Sequence, residues 1–194
     1  MNAKADDATT WQAFERKYHD KSDPWDFATS SYELRRYQTI LNALSKTQYG
    51  CIYEPGCSVG VLTQHLACMA ARVLATDFAP SAVDHAKRRC AGLQNVAIEV
   101  ADVREYRPAA PPDLIIFSEI GYYFTASELG RIGLFLAEQL APQGELLAAH
   151  WLGRSADHVL HGNDVHEELR ARLPLHWVHG AWHEGFRIDC WRKR

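Results

Sequence analysis

A glycine-containing loop between a strand-like and a helix-like segment is the first feature of this sequence that could do chemistry. The loop is Glu54-Pro55-Gly56-Cys57-Ser58-Val59-Gly60, and a helical pattern follows it directly. Glycines let the backbone turn sharply and let a ligand approach closer than a Cβ would allow, while N–H groups of the following helix face that ligand. The loop therefore predicts a nucleotide-like ligand.

An acidic residue follows this loop at a spacing that suits a ribose. Asp77 ends the next strand-like segment, 21 residues after Gly56. A carboxylate at that strand end can accept hydrogen bonds from the ribose hydroxyls. The dinucleotide pattern G-x-G-x-x-G is absent, and Glu54 would repel a pyrophosphate. The pattern therefore favours a cationic ligand without phosphates.

Two further polar residues end later strand-like segments. Glu119 follows Leu114–Ser118, and His150 ends Glu145–His150. Ligands of open α/β sheets bind at the carboxyl ends of the strands, and a carboxylate or imidazole there could take the proton of an amine. Glu119 and His150 are therefore candidate catalytic residues. The alternative is that Glu119 only binds a cofactor and that His150 is a hydrogen-bonded strand end.

Aromatic and histidine side chains near the same edge are candidates for contact with a second substrate. Tyr122 and Tyr123 follow Glu119, and Trp151 follows His150. His166 belongs to the segment between the fifth predicted strand and the last predicted helix. Aromatic residues at such positions are at least as often packing residues.

The elements that must position these residues follow a β-α-β rhythm. Short apolar segments alternate with helical patterns, at Cys51–Glu54, Val73–Asp77, Val96–Val100, Leu114–Ser118 and Glu145–His150. Residues 114–117 are all apolar, which is typical of a parallel strand covered by helices on both faces. Leu175–Trp182 and Gly185–Trp191 are joined too tightly for a crossover and predict an antiparallel C-terminal hairpin.

The composition indicates one domain. The chain has 194 residues, of which 47% are hydrophobic and 23% are charged, enough for one sizeable core. Residues Trp11 to Asp20 are weakly helical up to a turn at Pro24, and Ser30 with Glu33 forms a capping box for a helix to about Ser45. We expect a single domain over 1–194, with 1–48 as a helical N-terminal cover and 49–194 as the core.

The net charge, the cysteines and the histidines indicate which kinds of partner, compartment and metal site to expect. The net charge of −3 offers no general attraction to nucleic acid or to an anionic membrane, which leaves a small molecule as the expected partner. Five cysteines without a C-x-x-C spacing, a polar start from Met1 to Thr10 and the lack of a long apolar segment predict a cytoplasmic protein. Among His158, His161 and His166 no cysteine or carboxylate pair completes a zinc set, so no metal is expected.

Several phrases of the sequence resemble the class I S-adenosylmethionine-dependent methyltransferases, and within them the nodulation protein S (NodS) family of N-methyltransferases. These phrases are D-P-W at 23–25, S-S-Y-E-L-R-R-Y at 30–37, E-P-G-C-S-V-G at 54–60, S-E-I-G-Y-Y at 118–123, A-H-W at 149–151 and F-R-I-D-C-W at 186–191. The resemblance implies a Rossmann-like α/β fold, with a seven-stranded, mostly parallel sheet that has one antiparallel strand in the C-terminal hairpin. It also implies S-adenosyl-L-methionine as cofactor and S-adenosyl-L-homocysteine as product.

The same resemblance implies a role for individual residues. Glu54, Gly56, Cys57 and Gly60 would line the methionine half of the cofactor. Tyr32 with Arg36, or with the adjacent Arg35, would bind its carboxylate; the alternative is that these arginines form the solvated face of an amphipathic helix. The ribose and adenine would contact Asp77, Phe78, Asp102 and Val103. Ser118 would face the methyl group together with Glu119. Ser58 departs from the pattern, because many methyltransferases have a glycine there.

The implied reaction is N-methylation of a small amine, such as an amino sugar or a de-N-acetylated oligosaccharide, by a monomer or homodimer. O-methylation of another small molecule and cofactor binding without catalysis are alternatives. Gly56-Cys57-Ser58-Val59-Gly60 is also a G-x-S-x-G pattern, in which Ser58 would be the nucleophile of a serine hydrolase. Only about 50 mostly helical residues precede it, however, and the oxyanion-loop pattern H-G-G-G is absent.

Overall fold

Helices and strands alternate along the chain in a computed structural model that describes residues 9–194. The helices are α1 (Trp11–Asp20), α2 (Ser31–Asn42), α3 (Val61–Leu66), α4 (Pro80–Cys90), α5 (Ala126–Gln139) and α6 (Gly162–Arg172). The strands are β1 (Tyr49–Pro55), β2 (Ala70–Asp77), β3 (Val96–Val100), β4 (Leu114–Ser118), β5 (Glu145–Trp151), β6 (His176–His183) and β7 (Phe186–Arg192). Short 3₁₀ turns cover Ala67–Met69 and Gly121–Tyr123.

The strands form a seven-stranded sheet in the order β3-β2-β1-β4-β5-β7-β6. Strand β2 is parallel to β1 and to β3, and β4 is parallel to β5. Strand β7 is antiparallel to both β5 and β6. The predicted mostly parallel sheet with one antiparallel strand in a C-terminal hairpin is therefore confirmed.

The core strands are the most apolar ones. All five residues of β4 are buried, and so are the first six of β5. Strand β6, at the end of the sheet order, is instead largely exposed. This contrast follows the sequence, since β4 is apolar up to its final serine whereas β6 contains three histidines.

The chain forms two compact units, and the boundary between them lies after Tyr106. In the first unit, α1 packs against the start of α4, where the Glu15 carboxylate accepts a hydrogen bond from Ser81 N at 3.0 Å. The Phe14 ring lies 5.2 Å from the Phe78 ring. One domain with an N-terminal cover over 1–48 stays a prediction, and the expectations for residues 1–8 lie outside the described residues.

Helix α2 differs in detail from its prediction. Ser30 caps it, accepting a hydrogen bond from Glu33 N at 3.4 Å, while the Glu33 carboxylate forms an ion pair with Arg36. The helix ends at Asn42 rather than near Ser45, in a segment whose Asn, Ser and Thr residues are weak helix formers.

In the second unit, Thr125 and Glu128 form the predicted capping box of α5. Gly185, with φ of 83°, lets the chain turn between β6 and β7. No helix among residues 9–194 is long and apolar enough to cross a membrane.

Candidate functional site

The glycine loop of the first unit is held against the end of β2. Backbone N–H groups of Gly56 and Cys57 both donate to Thr76 O, at 2.7 and 2.9 Å. Gly60 has φ of 76°, and a Cβ there would lie 2.9 Å from Ala86 Cβ. Only glycine suits both the left-handed conformation and this close packing, so the loop has one well-defined path from β1 to α3.

Ser58 takes the left-handed conformation that a glycine would otherwise supply, with φ of 50°. Its N–H donates to Asp77 Oδ2 at 3.0 Å, and its hydroxyl accepts a hydrogen bond from the phenol of Tyr18 at 2.6 Å. These two bonds show how the loop packs with a serine in this place. A phenol donor does not activate a hydroxyl for attack, which disfavours the hydrolase alternative.

Glu54 is a buried carboxyl at the start of the loop. Thr63 Oγ1 donates to Glu54 Oε2 at 2.6 Å. Burial raises the pKa of Glu54 to about 8, assisted by the charge of Asp77 and opposed by the Thr63 hydrogen bond. A carboxyl in this state gains most from a cationic ligand, because the ligand's charge favours the ionised form.

Asp77 is fixed by two backbone donors. Its carboxylate accepts hydrogen bonds from Ser58 N and from Ala79 N, each at 3.0 Å. Burial raises its pKa to about 6, while these backbone hydrogen bonds oppose the rise. The carboxylate therefore stays at the end of β2, where the ribose was expected.

The residues predicted to contact adenine are near β2 and β3. The Phe78 ring is half-buried beside Phe14. The Asp102 carboxylate accepts a hydrogen bond from Arg104 Nε at 2.9 Å. Burial would raise the pKa of Asp102, but the Arg104 hydrogen bonds outweigh it and hold the pKa below its usual value. Any adenine contact of Asp102 must therefore share the carboxylate with Arg104.

Two predicted cofactor residues, Cys57 and Val103, have buried side chains. Cys57 belongs to an apolar cluster with Val83 and Cys90, and burial raises its thiol pKa well above the usual value. These side chains contribute to the core.

The two adjacent arginines of α2 differ in burial. Arg36 is 1% exposed and paired with Glu33, whereas Arg35 is exposed. Arg36, the arginine predicted to bind the cofactor, is thus the buried one of the two. Tyr32 lies half-buried on the same helix.

In the second unit, three predicted site residues meet at one carboxylate. Glu119 Oε1 accepts a hydrogen bond from Trp151 N at 2.7 Å, and Glu119 Oε2 accepts one from the Tyr122 hydroxyl at 2.8 Å. Glu119 has φ of 60° and follows the buried Ser118 at the end of β4. Such a backbone conformation costs about 1–3 kcal/mol and occurs preferentially at functional sites.

Tyr122, which donates to this carboxylate, belongs to a cluster of aromatic rings. The Tyr122 ring stacks on His158 with centroids 3.8 Å apart, and the Tyr123 ring meets Tyr122 edge-on at 4.9 Å. Burial raises the pKa of Tyr123 above its usual value, so this phenol stays neutral. Tyr122 is only 4% exposed, and His158 covers one face of its ring, so this geometry favours a packing role for Tyr122. The substrate contacts of Tyr122, Tyr123 and Trp151 stay predictions.

His150 and His166 are both fully buried. Gly121 N donates to His150 Nε2 at 3.0 Å, and His150 Nδ1 lies 3.2 Å from His166 Nε2. His166 Nδ1 lies 2.8 Å from Asp189 Oδ2. Both nitrogens of each ring are thus engaged within the protein. The catalytic role of His150 and the substrate contact of His166 stay predictions, and this geometry favours indirect roles for both.

Sequence reasoning missed several partners of these residues. Tyr18 holds Ser58, Thr63 holds Glu54, His158 covers Tyr122 and Asp189 holds His166. The spacing of Phe14 and Tyr18 on one face of α1 was an available signal for Tyr18. Over residues 9–194 no group of three or more His, Cys, Asp or Glu residues could hold a metal ion.

Comparison with known proteins gives a family match over most of the chain. Residues 7–156 match the family described as Nodulation protein S (NodS). The nodulation protein S of Rhizobium tropici is 30% identical over 127 residues, which cover 64% of this chain and 53% of that protein. The chain therefore spans only about half the length of this curated relative.

Two solved structures are similar to this one. A candidate methyltransferase from Pseudomonas syringae is 32% identical, with a TM-score of 0.73, over 84% of this chain and 100% of that chain. The N-methyltransferase NodS from Bradyrhizobium japonicum WM9, in complex with S-adenosyl-L-homocysteine, has a TM-score of 0.83 at 23% identity, over 95% and 98% of the two chains. The latter likeness shows a shared Rossmann-like fold.

Proposed function

Because the chain belongs to the nodulation protein S (NodS) family, we propose that it is a methyltransferase that moves a methyl group from S-adenosyl-L-methionine to the amine of a small acceptor. The acceptor class that we propose is an amino sugar or a de-N-acetylated oligosaccharide. The observation that carries the proposal is the pair of buried carboxyls, Glu54 and Asp77, that flank the glycine loop.

The first unit offers a separate partner for each part of the cofactor. Glu54 would take the cationic methionine end, since its buried carboxyl gains from a positive charge. Asp77 would accept hydrogen bonds from the ribose hydroxyls, and Phe78 would cover one adenine face. Arg36 would bind the methionine carboxylate by charge-assisted hydrogen bonds.

The second unit offers a group that can take the acceptor's proton. The cofactor supplies a methyl group on a sulfonium, so one carbon–sulfur bond breaks as one carbon–nitrogen bond forms. An amine is mostly protonated at neutral pH and must lose a proton to attack. Glu119 is the candidate base, because Trp151 N and the Tyr122 hydroxyl fix its two oxygens.

The proposal also covers the enzyme's localisation, its oligomeric state and the kind of partner it acts on. We propose a cytoplasmic enzyme, a monomer or homodimer, that acts on a small molecule and not on nucleic acid or a membrane. A hydroxyl acceptor would need the same base, so O-methylation is separated from N-methylation by the product's structure.

Calorimetric titration of S-adenosylmethionine and S-adenosylhomocysteine into the purified protein tests the cofactor. Binding of both ligands is expected, with a large loss in Asp77→Ala, because the ribose contacts are removed. A screen of D-glucosamine oligomers and matched hydroxyl compounds, read by S-adenosylhomocysteine release, then tests the acceptor. Absence of cofactor binding would overturn the proposal, and binding without turnover on any amine or hydroxyl would favour a non-catalytic protein.

A further inference from the structure

A row of buried polar groups runs behind the turn that carries Glu119. It begins at Gly121 N, passes through His150 and His166, and ends at the Asp189 carboxylate. His150 and His166 are 0% exposed and Asp189 is 1% exposed. Burying polar or ionisable groups lowers stability unless they are paired by hydrogen bonds, so the partners of these three side chains need to be identified.

The proton positions in this row follow from its one obligatory donor. Gly121 N–H can only donate, so His150 Nε2 must be the acceptor. Neutral His150 then carries its proton on Nδ1 and donates to His166 Nε2. His166 in turn carries its proton on Nδ1 and donates to Asp189 Oδ2. All three hydrogen bonds therefore point the same way, toward Asp189.

The acidic end of the row is firmly held. Arg187 Nε donates to Asp189 Oδ2 at 2.7 Å, and Trp177 Nε1 donates to Asp189 Oδ1 at 2.9 Å. Gly180 on the paired strand makes room for the carboxylate, since a Cβ there would lie 2.0 Å from Asp189 Oδ1. Burial opposes ionisation, but the hydrogen bonds from His166 and Trp177 hold the pKa of Asp189 below its usual value.

The other end of the row holds the turn itself. A Cβ at Gly121 would lie 2.7 Å from His150 Nε2 and 2.5 Å from Val165 Cγ1, so only glycine lets the backbone come this close. Gly121 lies between Glu119 and Tyr122, whose side chains are hydrogen bonded to each other at 2.8 Å.

We propose that Asp189 and His166 are positioning residues for methyl transfer, which act through His150 and Gly121 N to hold the turn of Glu119 and Tyr122. This rests on the proposed function, because it assigns the turn to the methyl acceptor. His150 is then also a positioning residue, and Glu119 is the group that touches the acceptor.

An extra proton breaks this row wherever it is placed. If His150 takes the extra proton, its Nε2 becomes a donor that faces the Gly121 N–H donor. If His166 takes it on Nε2, His150 must move its own proton from Nδ1 to Nε2, which again sets two donors against each other. Asp189, Arg187 and Glu119 are the charged groups that act on His166, and burial is the leading cause that lowers its pKa. The row therefore stays intact at neutral pH.

Nitrogen-15 NMR of histidine-labelled protein tests the row directly. In the wild-type chain, both His150 and His166 should carry the proton on Nδ1 at neutral pH. Asp189→Asn puts an amide donor opposite either His166 Nδ1 or Trp177 Nε1, so it should shift the ring nitrogen-15 resonances of His166 and, more weakly, those of His150. Glu145→Gln is the matched control, because it alters another buried carboxylate of the same unit, paired with Arg192, and should leave these resonances unchanged.

Kinetics then tests the positioning role. With D-glucosamine oligomers as acceptor, Asp189→Asn should lower kcat by about 10–100-fold, since small misplacements of reacting groups cost that much. Its affinity for S-adenosylmethionine should stay unchanged. The spectra need no acceptor and cofactor binding is measured separately, so failure of the proposed function is distinguished from failure of the row. Wild-type His150 protonated on Nε2, or an Asp189→Asn protein with normal kcat, would overturn the proposal.

Discussion

Replacing Glu54 by glutamine should stabilise the ligand-free protein while weakening its binding of the cofactor. Glutamine keeps the size of the side chain and an oxygen that can accept the Thr63 hydrogen bond. The substitution removes the ionisable carboxyl group, and burial raises the pKa of that group from 4.5 to about 8. The stabilising effect must therefore depend on pH.

The size of the effect follows from linkage between protonation and folding. Because the folded-state pKa lies above the unfolded one, Glu54 contributes stability that is complete below about pH 4.5 and is lost as pH rises to about 8. At about 1.4 kcal/mol per pKa unit, the loss reaches about 3–5 kcal/mol. Glu54→Gln avoids this loss, so it should equal the wild type near pH 4.5 and exceed it most above pH 8.

Urea denaturation followed by circular dichroism at several pH values measures this difference. Glu145→Gln is the opposite control, since Glu145 is equally buried but paired with Arg192 at 2.6 Å. That variant should lose about 1–3 kcal/mol, because it removes a hydrogen bond between charged groups. A Glu54→Gln protein that is less stable than the wild type at pH 8.5, or a difference that does not change with pH, would show that burial of the Glu54 carboxyl does not destabilise the ligand-free protein.

Three further predictions concern the loop and the turn. Asp77→Asn should weaken binding of S-adenosylmethionine and S-adenosylhomocysteine alike by about 10–100-fold in calorimetry, because a hydrogen bond to a charged group contributes about 1.5–3 kcal/mol. The wild-type protein should also bind both ligands more weakly as pH falls through about 6, because Asp77 then becomes protonated. Gly60→Ala should lower the free energy of unfolding by about 2–4 kcal/mol through backbone strain and contact with Ala86, whereas Gly92→Ala, where a Cβ meets nothing within 4 Å, should change it little. Tyr122→Phe should lower kcat about tenfold with cofactor affinity unchanged, because it removes one hydrogen bond from the candidate base, and a variant with normal kcat would count against that base.

The strands could be predicted from sequence because they are short segments rich in apolar and β-branched residues that alternate with helical patterns. The bounds of Val96–Val100 and Leu114–Ser118 agree with the structure to the residue. The loop at 54–60 and Asp77 could be predicted because they directly follow or end predicted strands, at the sheet edge where ligands of open α/β sheets bind.

The partners of the site residues could not be predicted, since they depend on packing between distant segments. Tyr18 reaches Ser58 across 40 residues, and His166 reaches Asp189 across 23. Strand ends can also be open or covered, so the sequence did not reveal that His150 is fully buried. The difference between Arg35 and Arg36 depends on the rotation of α2 about its axis.

Mass spectrometry of the acceptor detects methyl transfer to an amine without any intermediate assay. The protein is incubated with S-adenosylmethionine and D-glucosamine oligomers, beside a Glu119→Gln variant that keeps the cofactor residues of the first unit. The wild-type protein should yield an acceptor heavier by one CH₂, with the methyl on nitrogen, and the variant should yield little product. Tight cofactor binding with no methylated amine would rule out methyl transfer to an amino sugar, and equal product from both proteins would rule out Glu119 as the base.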